Sequence, residues 1–210
     1  MSIAVLLVIT ATLLVSTTPP VQPAGRVALA FQASPPERLV DGDIVFRTGT
    51  DVLARLVLTQ SQHSRFSHVG VVVNLAHAPY VVHAAPGYDG RDGGVRMDPL
   101  DHFISPEMAI DVGYYRIDEF HDTQREKLKT YLFSQIGKPF DYRFSYTDDD
   151  ALYCTELVLK ALIHGGVKLD LLDRVTVISL PEPATPPDSL RISGKLRELA
   201  SSDTENNNRK

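Results

Sequence analysis

The single cysteine of the chain, Cys154, stands where a predicted helix begins. Apolar residues recur along one side of this helix, at Leu157, Val158, Ala161 and Leu162. In the first turn of a helix, unpaired backbone N–H groups and the helix dipole stabilise a thiolate. Cys154 is therefore a candidate nucleophile, and the alternative is a buried structural thiol, because free cysteine is among the most buried residue types.

A cysteine nucleophile needs an imidazole to accept its proton and a third polar group to orient that imidazole. His68 and His83 lie on two predicted strands, residues 67–73 and 79–84, which a short polar loop joins into a hairpin. Both side chains can project from the same face of the hairpin, within reach of a helix packed there. His63 is a second candidate base.

A metal site is the competing interpretation, because four histidines cluster in one segment, at His63, His68, His77 and His83. No two of them have a short helical ligand spacing, and no carboxylate joins them in a recognisable pattern. We therefore expect no metal and no other cofactor.

Three further residues stand close to these candidates in the sequence. Tyr153 and Tyr142 are expected either to line the cleft or to pack in the core. Asp43, in a turn before a β-rich run, is expected to brace that turn. The carboxylates of residues 148–150 would raise the thiol pKa unless they point into solvent, and a solvated turn is the favoured interpretation.

The remaining elements alternate in short segments. Helices are predicted from residue 52 to 57 and from the turn at residues 121–123 to Ile136. A further strand is predicted over residues 109–116. Glycines and aspartates predict a loop from Pro86 to Asp98.

Composition and charge exclude several kinds of partner and structural site. The 210 residues carry a formal net charge of −5, so nothing suggests a nucleic-acid partner. One cysteine excludes an intramolecular disulfide and a multi-cysteine zinc site. The apolar run over residues 3–15 fits a signal peptide, or an uncleaved anchor, and predicts export to the periplasm, the exterior or the membrane surface.

Four ordered motifs carry a family resemblance. They are residues 41–46 (DGDIVF), 63–70 (HSRFSHVG), 137–141 (GKPFD) and 153–158 (YCTELV). In this order they resemble the YiiX-like permuted papain-fold cysteine amidases of the NlpC superfamily. The resemblance implies an α+β, circularly permuted papain-like fold, with an antiparallel sheet packed on the helix that bears the nucleophile. It implies Cys154 as nucleophile, His68 as base and His83 as the third residue.

The third residue departs from the YiiX-like pattern, in which a glutamate is often found. A histidine at this position, His83, resembles the lecithin retinol acyltransferase-like enzymes, which use one cysteine and two histidines. A neutral imidazole can still orient His68, but it stabilises an imidazolium less than a carboxylate does. We therefore expect a less favoured thiolate–imidazolium pair.

These observations predict a cysteine hydrolase that cleaves amide bonds through a thioester, with a small peptide of the cell envelope or a lipid-linked amide as substrate. The alternatives are a thiol acyltransferase or lipid hydrolase, and a non-catalytic module that binds peptide or lipid on the same fold. The expected organisation is a signal or anchor at residues 1–30, a linker at 31–38, the catalytic domain at 39–198 and a disordered tail at 199–210.

Overall fold

A six-stranded antiparallel sheet, in the order β4-β3-β2-β1-β5-β6, forms the centre of the computed structural model. The structure describes residues 34–36, 38–59, 64–87, 90, 92–169 and 183–199. The strands are β1 (Ile44–Gly49), β2 (His68–Leu75), β3 (Ala78–Ala85), β4 (Gly94–Pro99), β5 (Ala109–Ile117) and β6 (Leu196–Glu198). The helices are α1 (Val52–Leu58), α2 (Leu100–Phe103), α3 (Asp122–Gln135), α4 (Cys154–His164) and α5 (Pro187–Arg191).

The predicted hairpin is confirmed. Strands β2 and β3 pair antiparallel, with Val72 opposite Val81 and a tight turn in which Ala76 and His77 have positive φ. The predicted helices correspond to α1, α3 and α4, and the predicted strand at residues 109–116 corresponds to β5. The α+β architecture, with an antiparallel sheet and a helix that begins at Cys154, is as expected.

The prediction of a loop from Pro86 to Asp98 is wrong in its last part. Residues 94–99 form β4, which pairs with β3 and places Arg96 opposite His83. Val95 is buried in the core, and Met97 packs against the core. This alternation is only two apolar residues long, so the neighbouring glycines and aspartates concealed it in the sequence.

Apolar residues cover both faces of the sheet, because alternate residues of each strand point to opposite sides. On one face, Phe46, Val71 and Val82 pack with the apolar side of α4. On the other face, Val45 and Val72 pack with Phe103 of α2. Helix α4 contacts β2 and β3, the strands of the hairpin.

Asp43 is fully buried immediately before β1. Its two carboxylate oxygens each accept a hydrogen bond of 2.7 Å from Arg116 of β5, and Oδ2 also accepts one from the backbone N–H of Val40. The expected brace therefore exists, and it ties the start of β1 to β5.

Within the described ranges, no helix is long and apolar enough to cross a membrane. The predicted signal or anchor at residues 1–30 and almost all of the predicted tail lie outside those ranges.

Gly70 of β2 allows the hairpin strands to approach closely, and we expect Gly70→Ala to destabilise the fold. A Cβ at this position would lie 2.4 Å from Val81 Cγ1 and 3.0 Å from His83 Cβ. Overpacking of this kind costs about 1–3 kcal/mol, measurable as a lower free energy of unfolding in urea.

Val81→Ala removes the atom that the new Cβ would meet first, so it serves as the matched test. We expect the double variant to be more stable than the sum of the two single changes predicts, by about 0.5 kcal/mol or more. Strict additivity of the two changes would show that this contact does not limit the approach of the strands.

Candidate active site

Cys154 is the first residue of α4, and Tyr153 precedes it in an extended conformation as the N-cap. Glu156, in the first turn, accepts a hydrogen bond of 3.3 Å from the Tyr153 backbone N–H. Lys160 bridges Glu156 and Asp149 through contacts of 2.6 and 2.5 Å. These contacts hold the start of the helix, and Asp149, the middle carboxylate of residues 148–150, is exposed to solvent as expected.

Cys154 and His68 line the same small cleft, which has a volume of about 40 Å³. Each of these side chains is only 8% exposed. The rest of the lining comes from β1, α1, the chain on either side of the β2–β3 hairpin and the segment between α3 and α4: Arg47, Gly49, Asp51, Leu53, Ala54, Val57, Ser67, Pro86, Phe140 and Phe144. The thiol and the imidazole therefore face a common space with largely apolar walls.

The hairpin register brings the two histidines into direct contact. His68 is the first residue of β2, and its Nε2 lies 2.8 Å from Nδ1 of His83 on β3. Nε2 of His83, in turn, lies 3.0 Å from Oδ2 of Asp98 on β4. Arg96 donates a hydrogen bond of 3.0 Å to the same Asp98 oxygen. A continuous chain of hydrogen bonds thus crosses three adjacent strands, from His68 to a carboxylate.

The carboxylate fixes the tautomers of both imidazoles. The hydrogen bond from His83 holds the pKa of Asp98 well below its usual range, so Asp98 is an acceptor only. His83 must then donate through Nε2, and its neutral ring accepts at Nδ1. His68 therefore donates through Nε2, which leaves its Nδ1 unprotonated. This is the protonation state required of a general base.

Burial makes the neutral forms of the thiol and the imidazole the stable ones. It raises the pKa of Cys154, against hydrogen bonds from the Thr155 hydroxyl and from backbone N–H groups that include that of Val69. Burial, followed by the charge of Arg47, lowers the pKa of His68 well below its ordinary value. Burial also lowers the pKa of His83 to about 4, and Asp98 opposes that shift. The resting site is a neutral thiol beside a neutral imidazole.

Phe103 of α2 packs against the rings of both histidines. Its ring centroid lies 5.6 Å from that of His68 and 5.0 Å from that of His83. It is fully buried, so it keeps water from the histidine pair. The guanidinium of Arg47 lies over the same ring, 4.3 Å from its centroid.

Tyr153, Tyr142 and Asp43, which were singled out in the sequence, lie outside this cleft. Tyr153 is 1% exposed and packs in the core, where burial raises its pKa to about 12. Tyr142 is 60% exposed, and its hydroxyl accepts a hydrogen bond from Gly87 N. Asp43 precedes β1, whereas the cleft lies at the far end of that strand, near Gly49. His63 is outside the described residues.

Sequence reasoning missed three charged residues of the site: Asp98, Arg96 and Arg47. Asp98 falls in the predicted loop, although it lies two residues from Arg96, the cross-strand partner of His83. The only available signal was the short alternation of Val95 and Met97, which indicates a strand beside the hairpin. Arginine side chains are mostly exposed, so the residue type gave no signal for Arg47, whose strand is buried on both sides.

No group of three or more His, Cys, Asp or Glu side chains is arranged to hold a metal ion in the part of the chain that the structure describes. The contacts of His83 explain why His68 and His83 do not serve as a pair of metal ligands. Both of its ring nitrogens are occupied, one by His68 and one by Asp98.

Comparison with known proteins agrees with this architecture. The chain is 26% identical over 159 residues to the uncharacterized protein YiiX of Escherichia coli strain K12, covering 75% of this chain and 71% of that protein. The crystal structure of YiiX from Escherichia coli O157:H7, described as a metalloprotein, matches with a TM-score of 0.65 at 23% identity. That match covers 78% of this chain and 97% of the other.

A family profile described as permuted papain-like amidase enzymes, YaeF/YiiX, matches residues 38–185. The matched region includes the hairpin, Asp98 and the whole of α4. The order of the motifs along the chain, with the histidine strands before the cysteine helix, is the order expected for a permuted member. The chain therefore belongs to the YaeF/YiiX family of permuted papain-like amidases, the C92 family.

Proposed function

We propose that the protein is a cysteine amidase that cleaves an amide bond through a Cys154 thioester, with His68 as general base and His83 as the residue that orients it. The family supports cysteine hydrolase activity in general. The specific assignment rests on one observation. Cys154 lines a cleft together with His68, and Nε2 of His68 is hydrogen-bonded to His83, which is hydrogen-bonded to Asp98.

In the acylation step one proton is transferred through His68, an S–C bond forms and the amide C–N bond breaks. His68 Nδ1 takes the proton from Cys154 Sγ as the sulfur attacks the carbonyl carbon and the carbonyl oxygen becomes an oxyanion. The C–N bond then breaks, and His68 returns the proton to the departing amine. The product is a thioester on Cys154 and a free amine.

Deacylation repeats these roles with water. His68 accepts a proton from the water that attacks the thioester carbonyl, the C–S bond breaks, and the thiolate of Cys154 recovers its proton from His68. The acyl product leaves as a carboxylic acid. Because both steps begin from neutral groups, His68 must form an imidazolium transiently in each of them, and Asp98 stabilises that charge through His83.

The start of α4 supplies stabilisation for the oxyanion. The backbone N–H of Cys154, at the first position of the helix, has no partner within the helix ladder. It can donate to an oxygen bonded to the carbon that the sulfur attacks. We assign this N–H as one donor of the oxyanion hole.

The cleft walls favour a substrate with an apolar portion beside the scissile bond. Leu53, Val57, Phe140 and Phe144 provide these walls. This composition fits an apolar peptide or a lipid-linked amide, and it keeps the thiol acyltransferase or lipid hydrolase as the second candidate function. We further propose that the enzyme acts outside the cytoplasm, on envelope substrates, because of the apolar run at residues 3–15.

The description of the Escherichia coli O157:H7 protein as a metalloprotein raises a metal-dependent reaction as a hypothesis for this chain. The described residues offer no group of three ligands for an ion, and we therefore derive no step through a metal. The thiol, the two imidazoles and the carboxylate account for each proton transfer.

We expect Cys154→Ser and Cys154→Ala to abolish hydrolysis, because neither variant retains a thiol. The measurement is release of amine from a panel of peptidyl and N-acyl anilides, together with intact mass for the acyl-enzyme. Ser134→Ala is the control, since it removes a hydroxyl from an exposed position of α3 and leaves the cleft unchanged. Hydrolysis that persists in both Cys154 variants would contradict the mechanism.

We expect Asp98→Asn to lower kcat about 100-fold or more, because the His68 imidazolium loses its stabilising charge. The pKa of His68 should fall further, so the acid limb of the kcat/KM profile should move to lower pH. Asp101→Asn, an exposed carboxylate on α2, is the matched control. A uniform loss of activity without movement of the acid limb would indicate a purely structural role for Asp98.

We expect alkylation of Cys154 by iodoacetamide to be slow near pH 6 and to rise with pH, with an apparent thiol pKa above the ordinary value of about 8.5. Burial raises the pKa of the thiol and lowers that of His68, so both groups stay neutral from pH 6 up to the pKa of the thiol. Intact mass follows the adduct over time. A rate that is already maximal at pH 6 would reveal a preformed thiolate–imidazolium pair.

A further inference from the structure

Arg47 places a buried positive charge in the cleft that holds Cys154. It lies on β1 directly opposite His68 of β2, and its side chain is only 5% exposed. It lines the same cleft as the thiol and the imidazole. Neither the resting thiol nor the acylation chemistry described above uses this charge.

The hydrogen-bonding capacity of the Arg47 guanidinium is only partly used. Nη1 donates to the carbonyl oxygen of Phe103 at 2.8 Å, and the group is stacked on the ring of the same residue. Nε is buried and has no hydrogen-bond partner among the described residues. These contacts fix the orientation of the planar group and leave its Nε edge without an acceptor.

No carboxylate among the described residues lies within salt-bridge distance of Arg47. The two acidic side chains whose charges act on it most are Asp51 and Asp98. Asp51 caps the start of α1 by accepting from Ala54 N at 2.8 Å, and Asp98 is held by His83 and Arg96.

An unpaired buried guanidinium is costly, because transfer of a charge out of water is compensated only when a counter-ion or full hydrogen bonding replaces the water. Burial, followed by the charge of Arg96, lowers the pKa of Arg47 to about 10. The group therefore still carries its charge at neutral pH. A charge of this kind in a catalytic cleft is satisfied when the ligand brings the opposite charge.

The cleft has room for such a group. One water needs about 10–15 Å³ of cavity volume, and the cleft measures about 40 Å³. A carboxylate has the size for this space, and its two oxygens match the parallel N–H donors of a guanidinium edge.

We propose that Arg47 is a specificity-determining residue whose guanidinium binds a carboxylate of the substrate, close to the scissile bond. The substrate class is then an amide that carries a carboxylate near the bond to be cleaved. This assignment rests on the proposed amidase function, but the binding of an anion by Arg47 can be measured without catalysis.

Iodoacetate and iodoacetamide provide that measurement, because they are nearly the same size and differ in charge. Both alkylate the same thiol, with iodide as the leaving group, so the thiolate fraction cancels in the ratio of their rates at one pH. We expect the iodoacetate to iodoacetamide ratio for Cys154 at pH 8.5 to exceed that of 2-mercaptoethanol about tenfold or more. An equal ratio for the protein and the small thiol would overturn the proposal.

The variants separate direct contact from the general field of the site. In Arg47→Gln the ratio should fall to that of the small thiol, and Arg47→Lys should retain part of the preference, because a lysine keeps the charge without the planar edge. Arg96→Gln is the matched control, since it removes the same charge from the same cluster but does not line the cleft. If the ratio fell equally in Arg96→Gln, the preference for iodoacetate would come from the overall positive potential of the site. That result would overturn direct binding of the carboxylate by Arg47.

The wild-type comparison does not depend on the stability of any variant, so the proposal stays testable if Arg47→Gln does not fold. Failure of the amidase assay with a preserved, Arg47-dependent preference for iodoacetate would overturn the proposed reaction and leave the anion site in place. Hydrolysis of neutral and carboxylate-bearing anilides with equal kcat/KM would overturn the substrate class and leave the amidase function in place.

Discussion

The hydrogen bond between His68 and His83 is the interaction on which the site depends. It joins two side chains buried within the sheet, and it exists only because β2 and β3 pair in one register. A shift of one residue would turn one imidazole to the opposite face of the sheet. The close approach of the strands at Gly70, the tight turn at residues 76 and 77, and the packing of α4 on this hairpin all maintain that register.

In the proposed mechanism, Asp98 explains how a histidine can serve as the third residue. An imidazole alone would orient His68 but would do little to stabilise an imidazolium. The structure extends the chain of hydrogen bonds by one more residue, so that the charge of a carboxylate reaches His68 through His83. Asp98 lies on a third strand. Because the His83 ring stands between them, its carboxylate is farther from His68 than a direct hydrogen-bond partner would be, by about the width of one imidazole ring. Burial lowers the pKa of both imidazoles, and the charges of Arg47 and Arg96 lower it further, which keeps the resting site neutral.

The elements that could be predicted from the sequence are those with a local periodic signal. The helix at Cys154 has a clear apolar side, and the hairpin has two β-rich runs joined by a short turn. The placement of the thiol at a helix start and of both histidines on the hairpin could therefore be predicted. The four ordered motifs then identified the permuted arrangement. The family comparison agrees with that assignment.

The charged partners could not be predicted in the same way, because they depend on pairing between distant segments. Asp98 reaches His83 only because β4 pairs with β3, and a six-residue strand between glycines and aspartates has too little alternation to be recognised. The role of Arg47 depends on the burial of both faces of β1, which is a property of the assembled sheet. That Arg47 has no counter-ion among the described residues is visible only once the neighbouring carboxylates are located.

The central claim is that His68 is a neutral base whose tautomer is set, through His83, by Asp98. Nitrogen NMR of protein labelled with ¹⁵N-histidine at pH 7 tests it most directly, since protonated and unprotonated ring nitrogens resonate far apart. His68→Gln and His83→Gln assign the signals. We predict that both residues carry a proton on Nε2 and none on Nδ1. A protonated Nδ1 on His68, either as the other tautomer or as an imidazolium, would contradict the claim.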